Sequence, residues 1–138
     1  MSEITSIQDA RFLKRAGLPL NTPVKHRTFS AGYSHRWFKM LRANQRFVLA
    51  LIKYGESGGH EGAWRKVERA LEKFGSAVSH FIEYGELADD GERAVIQAFV
   101  QHKFLPMSKR WNAVVDSFDV GEEIAVNLQD FILVDAAG

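Results

Sequence analysis

The sequence predicts an all-α fold, a single-domain bundle of about five to six helices. Three observations predict it. Apolar residues recur at three- and four-residue spacing along most of the chain, which is the period of a helix and not of a strand. Short Gly- or Pro-marked breaks separate those stretches. The 138 residues are 46% hydrophobic and 25% charged, a composition that buries an ordinary core without staples. Cysteine is absent, which excludes disulfides, thiolate nucleophiles and the usual zinc sites.

The elements follow in order. Ser6 and Asp9 form a capping pattern before Ile7, Ala10, Phe12 and Leu13, so a short first helix ends near Gly17. Residues 18–33 hold Pro19, Pro23 and Gly32 with no sustained period and read as a long basic connection. Ser34 is placed to cap a second helix reaching about Tyr54, with Trp37, Leu41, Val48, Leu51 and Ile52 on its apolar face. The run Phe47–Ile52 taken alone also suits a buried strand. A Gly-rich hinge follows at 55–62.

The third helix has the clearest pattern. Trp64, Val67, Leu71, Phe74, Val78 and Phe81 alternate spacings of three and four, a seam suited to antiparallel packing. Asp89 and Glu92 form an acidic capping box for a fourth helix with Val95, Ile96, Phe99 and Val100 inward. Pro106 is expected to stop it. Ser108 starts a fifth helix bearing Trp111, Val114, Val115 and Phe118. Asp119 and Glu122 repeat the capping pattern for a sixth, with Ile124, Leu128, Phe131 and Ile132; the stretch 131–134 also suits an extended segment.

The formal net charge of +1 conceals a sorted distribution. Ten bases and no acid lie between Arg11 and Tyr54, whereas residues 86–138 hold ten acids against four bases. Charge asymmetry between halves points to an anionic partner, or to neutralisation within the fold or between subunits. On the second helix His35, Lys39, Arg42, Arg46 and Lys53 fall at offsets 0, 4, 7, 11 and 18. At about 100° per residue they share one sector, away from Trp37, Leu41, Val48 and Ile52. Such a row can meet successive phosphates. Arg65, Lys66, Arg69 and Lys73 extend it if the second and third helices lie side by side, although Glu61, Glu68 and Glu72 interleave with them. Phe29 and Tyr33 are candidates for stacking on a base, with core anchoring the plainer expectation.

No catalytic set assembles from the sequence. Gly55-Glu56-Ser57-Gly58-Gly59 matches G-x-S-x-G formally. A nucleophile elbow needs a strand before it and a sheet to carry its partners, and an interhelical loop is the simpler reading. His60-Glu61 begins an H-E-x-x-H motif, but position 64 is Trp. His80 and Glu83 lack further converging ligands, and His102 with Lys103 suits the end of the fourth helix. No phosphate-cradling Gly-rich loop with Lys-Ser or Lys-Thr is present.

The expectation is therefore a small non-enzymatic nucleic-acid-binding subunit or accessory protein within a larger complex. It would contact the phosphate backbone of DNA or RNA through Lys25, Arg27, His35, Arg36, Lys39, Arg42, Arg46 and Lys53. It would need no cofactor and no metal. The alternative is a protein-interaction module, either an adaptor or an inhibitor of a nucleic-acid enzyme. Its working surface would be the acidic residues 86–138 or the 64–81 seam, with self-association through the acidic half. The longest apolar run has six residues, too short to span a bilayer, and residues 1–8 carry no signal-like core, so cytoplasmic residence is expected.

Overall fold

The computed structural model describes residues 29–119 and 126–133. The expected first helix, most of the 18–33 connection, and Lys25 and Arg27 lie outside the described residues.

The described chain is all-helical, with no strand. Helix α1 spans Ala31–Glu56 and α2 spans Glu61–Glu83. A 3-10 turn, Tyr84–Glu86, leads to α3, Asp90–Phe99. A π-helical segment, Val100–Phe104, joins α3 directly to α4, Leu105–Asp119. A second 3-10 turn spans Leu128–Phe131. Counted as continuous rods, the described residues form three long helices and not five to six.

Beyond the expected first helix, which lies outside the described residues, two features account for that difference. The fourth and fifth expected helices are one rod, because Pro106 does not stop the chain. A proline in a regular α-helix lacks its N–H donor and its ring crowds the carbonyl four residues back. Here the turn before it is wider, with the Leu105 N–H reaching the Val100 carbonyl. Such a π-bulge relieves the crowding without a break. His102 and Lys103 therefore sit mid-rod and not at a helix end. The expected sixth helix is replaced, over its described part, by the short 3-10 turn followed by extended Ile132.

The start of α1 also differs from expectation. Ser30 is the cap, not Ser34: it is extended, and its Oγ accepts from the Tyr33 N–H at 3.2 Å. Ala31, Gly32 and Tyr33 thus belong to the helix rather than the connection. Tyr84 packs so closely over Gly32 that a Cβ there would lie 2.7 Å from the Tyr84 ring. The Tyr84 hydroxyl and Ser30 Oγ are 2.6 Å apart. Glu92 completes this corner. It is buried, and its carboxylate accepts from the Ser30 N–H at 2.7 Å and from Ser30 Oγ at 3.3 Å. Asp89 caps α3 by accepting from the Glu92 N–H at 2.9 Å.

The hinge falls where the glycines place it. Gly58 and Gly59 take φ of +70° and +86°, a left-handed region open to glycine. The chain then reverses. Tyr33 and Trp37 meet Phe81, Phe47 stacks on Phe74, and Tyr54 lies against Trp64. The order of these pairs makes α1 and α2 antiparallel. Phe99 meets Trp37 and Phe81, and Trp111 meets Phe47 and Trp64, so the α3–α4 rod runs parallel to α1 and antiparallel to α2.

The core face of α2 is the expected seam: Val67, Phe74, Val78 and Phe81 are buried, with Trp64 and Leu71 half-buried against them. The core face of α1 is rotated from expectation. Tyr33, Trp37, Met40, Asn44, Phe47 and Leu51 are buried at alternating spacings of four and three, and Leu41, Val48 and Ile52 lie on its flank. Phe47–Ile52 is helix, not strand.

Asn44 is buried because it fastens the C-terminal turn. Its Nδ2 donates to the Phe131 carbonyl at 2.7 Å and its Oδ1 accepts from the Leu133 N–H at 3.1 Å. Phe131 thereby seats against Phe47 and Trp111. Replacing Asn44 by Ala strands both backbone groups. The expected cost is about 2–4 kcal/mol, read by urea unfolding, with faster amide exchange at Leu133.

Tyr33 presents the opposite case. Its hydroxyl is buried with no hydrogen-bond partner among the described residues. Burial, and secondarily the negative charge of Glu92, pushes its pKa above the ordinary tyrosine value. Below about pH 10 both folded and unfolded chains keep this proton. Above it the unfolded chain loses the proton first, so stability falls as pH rises. Tyr33→Phe removes the orphan hydroxyl. It is expected to raise stability by about 1 kcal/mol at neutral pH and to flatten the loss above pH 10, both read by denaturant titration.

Candidate functional site

The packing of α1 on α2 leaves a groove along its outer side. Alanines at 43 and 50 on α1, and at 63, 70 and 77 on α2, recur every seven residues. Seven residues are close to two helical turns, so each set stays on one face. Short side chains there leave a trough where longer ones would fill it. The central part encloses about 610 Å³.

Long cationic side chains line both walls. Lys39, Arg42 and Arg46 come from α1, and Lys66, Arg69 and Lys73 from α2, with Ala43, Ala70, Ser76 and Ala77 between them. All six cations are exposed. Among the described residues no carboxylate lines this part of the groove, and none of the six makes an ion pair with a described carboxylate. The groove continues both ways. Towards the hinge, Arg46 and Lys66 also border a space of about 500 Å³ with Leu49, Lys53, Ser57 and His60. Towards the other end, Lys39 and Ala77 border a smaller space of about 360 Å³ with His35, His80, Glu83 and Tyr84.

The α2 wall was obscured in the sequence by interleaved glutamates. At 100° per residue Lys66, Arg69 and Lys73 centre roughly 110° away from Glu68 and Glu72, and neither glutamate lines the groove. Arg65 falls on the glutamate side and pairs with Glu61 at 3.2 Å. It is the one member of the expected extension that stays out. The repeat of alanines at 63, 70 and 77 was the sequence signal that marked this face.

The expected α1 residues divide in two. His35, Lys39, Arg42, Arg46 and Lys53 are exposed and border the groove or its extensions. Arg36 also borders the smaller extension, but it is half-buried and engaged within the fold. Its Nη1 donates to the Gly32 carbonyl at 3.1 Å, and its guanidinium lies 4.7 Å from the centre of the Tyr84 ring. The candidate base-stackers are core parts: Tyr33 is buried, and Phe29 stacks on it at 4.4 Å.

The other constellations take ordinary structural places. Ser57 lies in the α1–α2 loop, where its Oγ donates to the Tyr54 carbonyl at 2.7 Å and accepts from the His60 N–H at 3.0 Å. His60 caps α2, its Nδ1 accepting from the Gly62 N–H at 3.1 Å. No group of three His, Asp or Glu able to hold a metal occurs among the described residues. No helix among them is long and apolar enough to cross a membrane. The 64–81 seam is consumed by the bundle's own core. Several acids of the second half are also engaged: Glu92 holds Ser30, Asp90 lies 3.4 Å from Arg93, and Asp130 lies 3.9 Å from Arg110. Burial, with the nearby Arg110 charge, lowers the pKa of half-buried Lys103, partly offset by Asp130. Comparison with protein-family models, curated proteins and solved structures found no match.

If the alanine floor sets the groove's depth, filling it should weaken whatever the groove holds without unfolding the bundle. Ala70→Leu is expected to keep the helical circular dichroism signal while reducing polyphosphate binding several-fold. Unchanged binding would count against an occupied groove floor.

Proposed function

We propose that this chain is a non-enzymatic nucleic-acid-binding protein that holds the phosphate backbone in the α1–α2 groove. One observation carries the reading: six cations from two helices converge on one concave surface with no lining carboxylate among the described residues. A backbone that runs along the trough meets positive charge on both sides. Arg42, Arg46 and Arg69 offer bidentate hydrogen bonds to phosphate oxygens, and the three lysines act as point charges. No contact in this arrangement reads a base edge, so the binding is expected to be sequence-tolerant.

The shape favours a strand over a flat anionic surface. A membrane or broad acidic face can touch the outer rims of the two walls, but it cannot enter between them. A single backbone can reach both walls at once. Protein partners through the seam lose support, because those side chains are already buried.

The test is binding to labelled DNA and RNA, single- and double-stranded, across a salt series. Neutralising about six phosphates on a single strand gives a log–log slope near −4. Charge reversal of either wall, Lys39/Arg42/Arg46→Glu or Lys66/Arg69/Lys73→Glu, is expected to abolish binding at about 50 mM salt with helicity intact. Arg65→Glu is expected to change affinity little more than about twofold, since Arg65 is paired outside the groove. Undiminished affinity in either triple variant would overturn the reading. So would a tight protein complex by light scattering combined with no nucleic-acid binding at low salt.

A further inference from the structure

Among the phenylalanines whose side chains are described, all but one are buried or half-buried. Phe38 is 58% exposed. It stands on α1 immediately before Lys39 and one turn before Arg42, both of which line the groove. Leu49, 55% exposed, lies on the same line of the helix three turns on, since eleven residues return to within about 20° of the starting direction. Two separate apolar side chains therefore stand on the outer lip of the cationic wall.

Resting on the groove reading above, we infer that the ligand is single-stranded nucleic acid, and that Phe38 is a stacking platform for an unpaired base whose phosphates lie in the groove. The chemistry follows from the arrangement. The backbone is held by charge on one side of the lip, and the bases of a single strand turn away from their phosphates. A base leaving the groove over α1 meets the Phe38 ring. Base–aromatic stacking of this kind tolerates any base, because every base has a π-face. A duplex gains nothing from Phe38, since its base faces are covered by their neighbours. A bare polyanion gains nothing either. Leu49 supplies apolar surface for a second base farther along, roughly 16 Å from the first by helix rise.

Four probes test this: a thymidine 12-mer, the matching 12-bp duplex, inorganic polyphosphate, and vesicles containing phosphatidylserine. Phe38→Ala is expected to weaken thymidine 12-mer binding at least about fivefold, leaving polyphosphate affinity and the salt slope unchanged. Phe38→Trp is expected to retain 12-mer affinity and to add tryptophan quenching on binding. Preference for the 12-mer over the duplex completes the expected result. The inference is overturned if Phe38→Ala leaves 12-mer affinity unchanged, or weakens polyphosphate equally. It is also overturned if the duplex binds more tightly, or if Phe38→Ala affects only vesicle binding. The two readings fail separately. If the wall reversals abolish binding and Phe38→Ala does not, stacking falls and the groove stands. If the wall reversals also have no effect, both fall.

Discussion

Phe47 stacks on Phe74, Tyr54 lies against Trp64, and Tyr33 and Trp37 close on Phe81 at the far end. These pairs fix α1 and α2 in one antiparallel register, and the rest of the molecule follows from it. The inner side of the pair offers a strip of rings, onto which Phe99 and Trp111 bring the third rod. The outer side offers facing alanines. The same seven-residue repeat that buries large residues inward holds small ones outward, so core and groove are two faces of one packing solution. A slip of one turn would break the ring pairs and misalign the cationic walls together.

That register also concentrates like charge. Two cations roughly 8 Å apart in water repel by about 0.5 kcal/mol, and six share the central groove. Repulsion on this scale is tolerable because each buried aromatic side chain contributes about 2–3 kcal/mol. It nevertheless leaves a standing cost that negative charge placed in the groove would relieve. Among the described residues, the carboxylates nearest in sequence lie on other surfaces. Glu68 and Glu72 are on another face of α2, and Glu92 is held at the start of α1.

Much of this was legible in the sequence where one simple period ruled. The 64–81 seam read correctly because every member is apolar and the spacing never lapses. The α1 face was read rotated because two of its members, Tyr33 and Asn44, carry polar groups. Asn44 is inward for a reason no local pattern contains: its partners are the backbone of Phe131 and Leu133, far along the chain. Pro106 was read as a stop because the rule assumes a regular α-helix before it, whereas a π-helical turn precedes it. For the groove, the acid-free run exposed the α1 wall directly. The α2 wall was hidden by alternating signs in linear order, which a helix sorts onto separate faces. Arg36 stands among the expected phosphate contacts because exposure cannot be read from charge; its pairing with Tyr84 depends on the corner after α2.

The acidic second half looked like a counterpart to the basic first half, either balancing it or recruiting another copy. The described acids fit local work better. Asp89 caps α3, and Asp90 is in its first turn, where negative charge complements the free N–H groups. Glu92 leaves that same turn to grip the Ser30 N–H and hydroxyl across the fold. This grip holds the first turn of α1 against α3 and the turn that carries Tyr84. The cationic wall begins on that helix at His35, one turn after the cap. An acid from the second half thus fixes the base of the basic helix without approaching its cations. Sorting charge this way lets carboxylates stabilise the scaffold while the described lining of the central groove holds none, a surface that a mutually neutralised pair of faces would not leave.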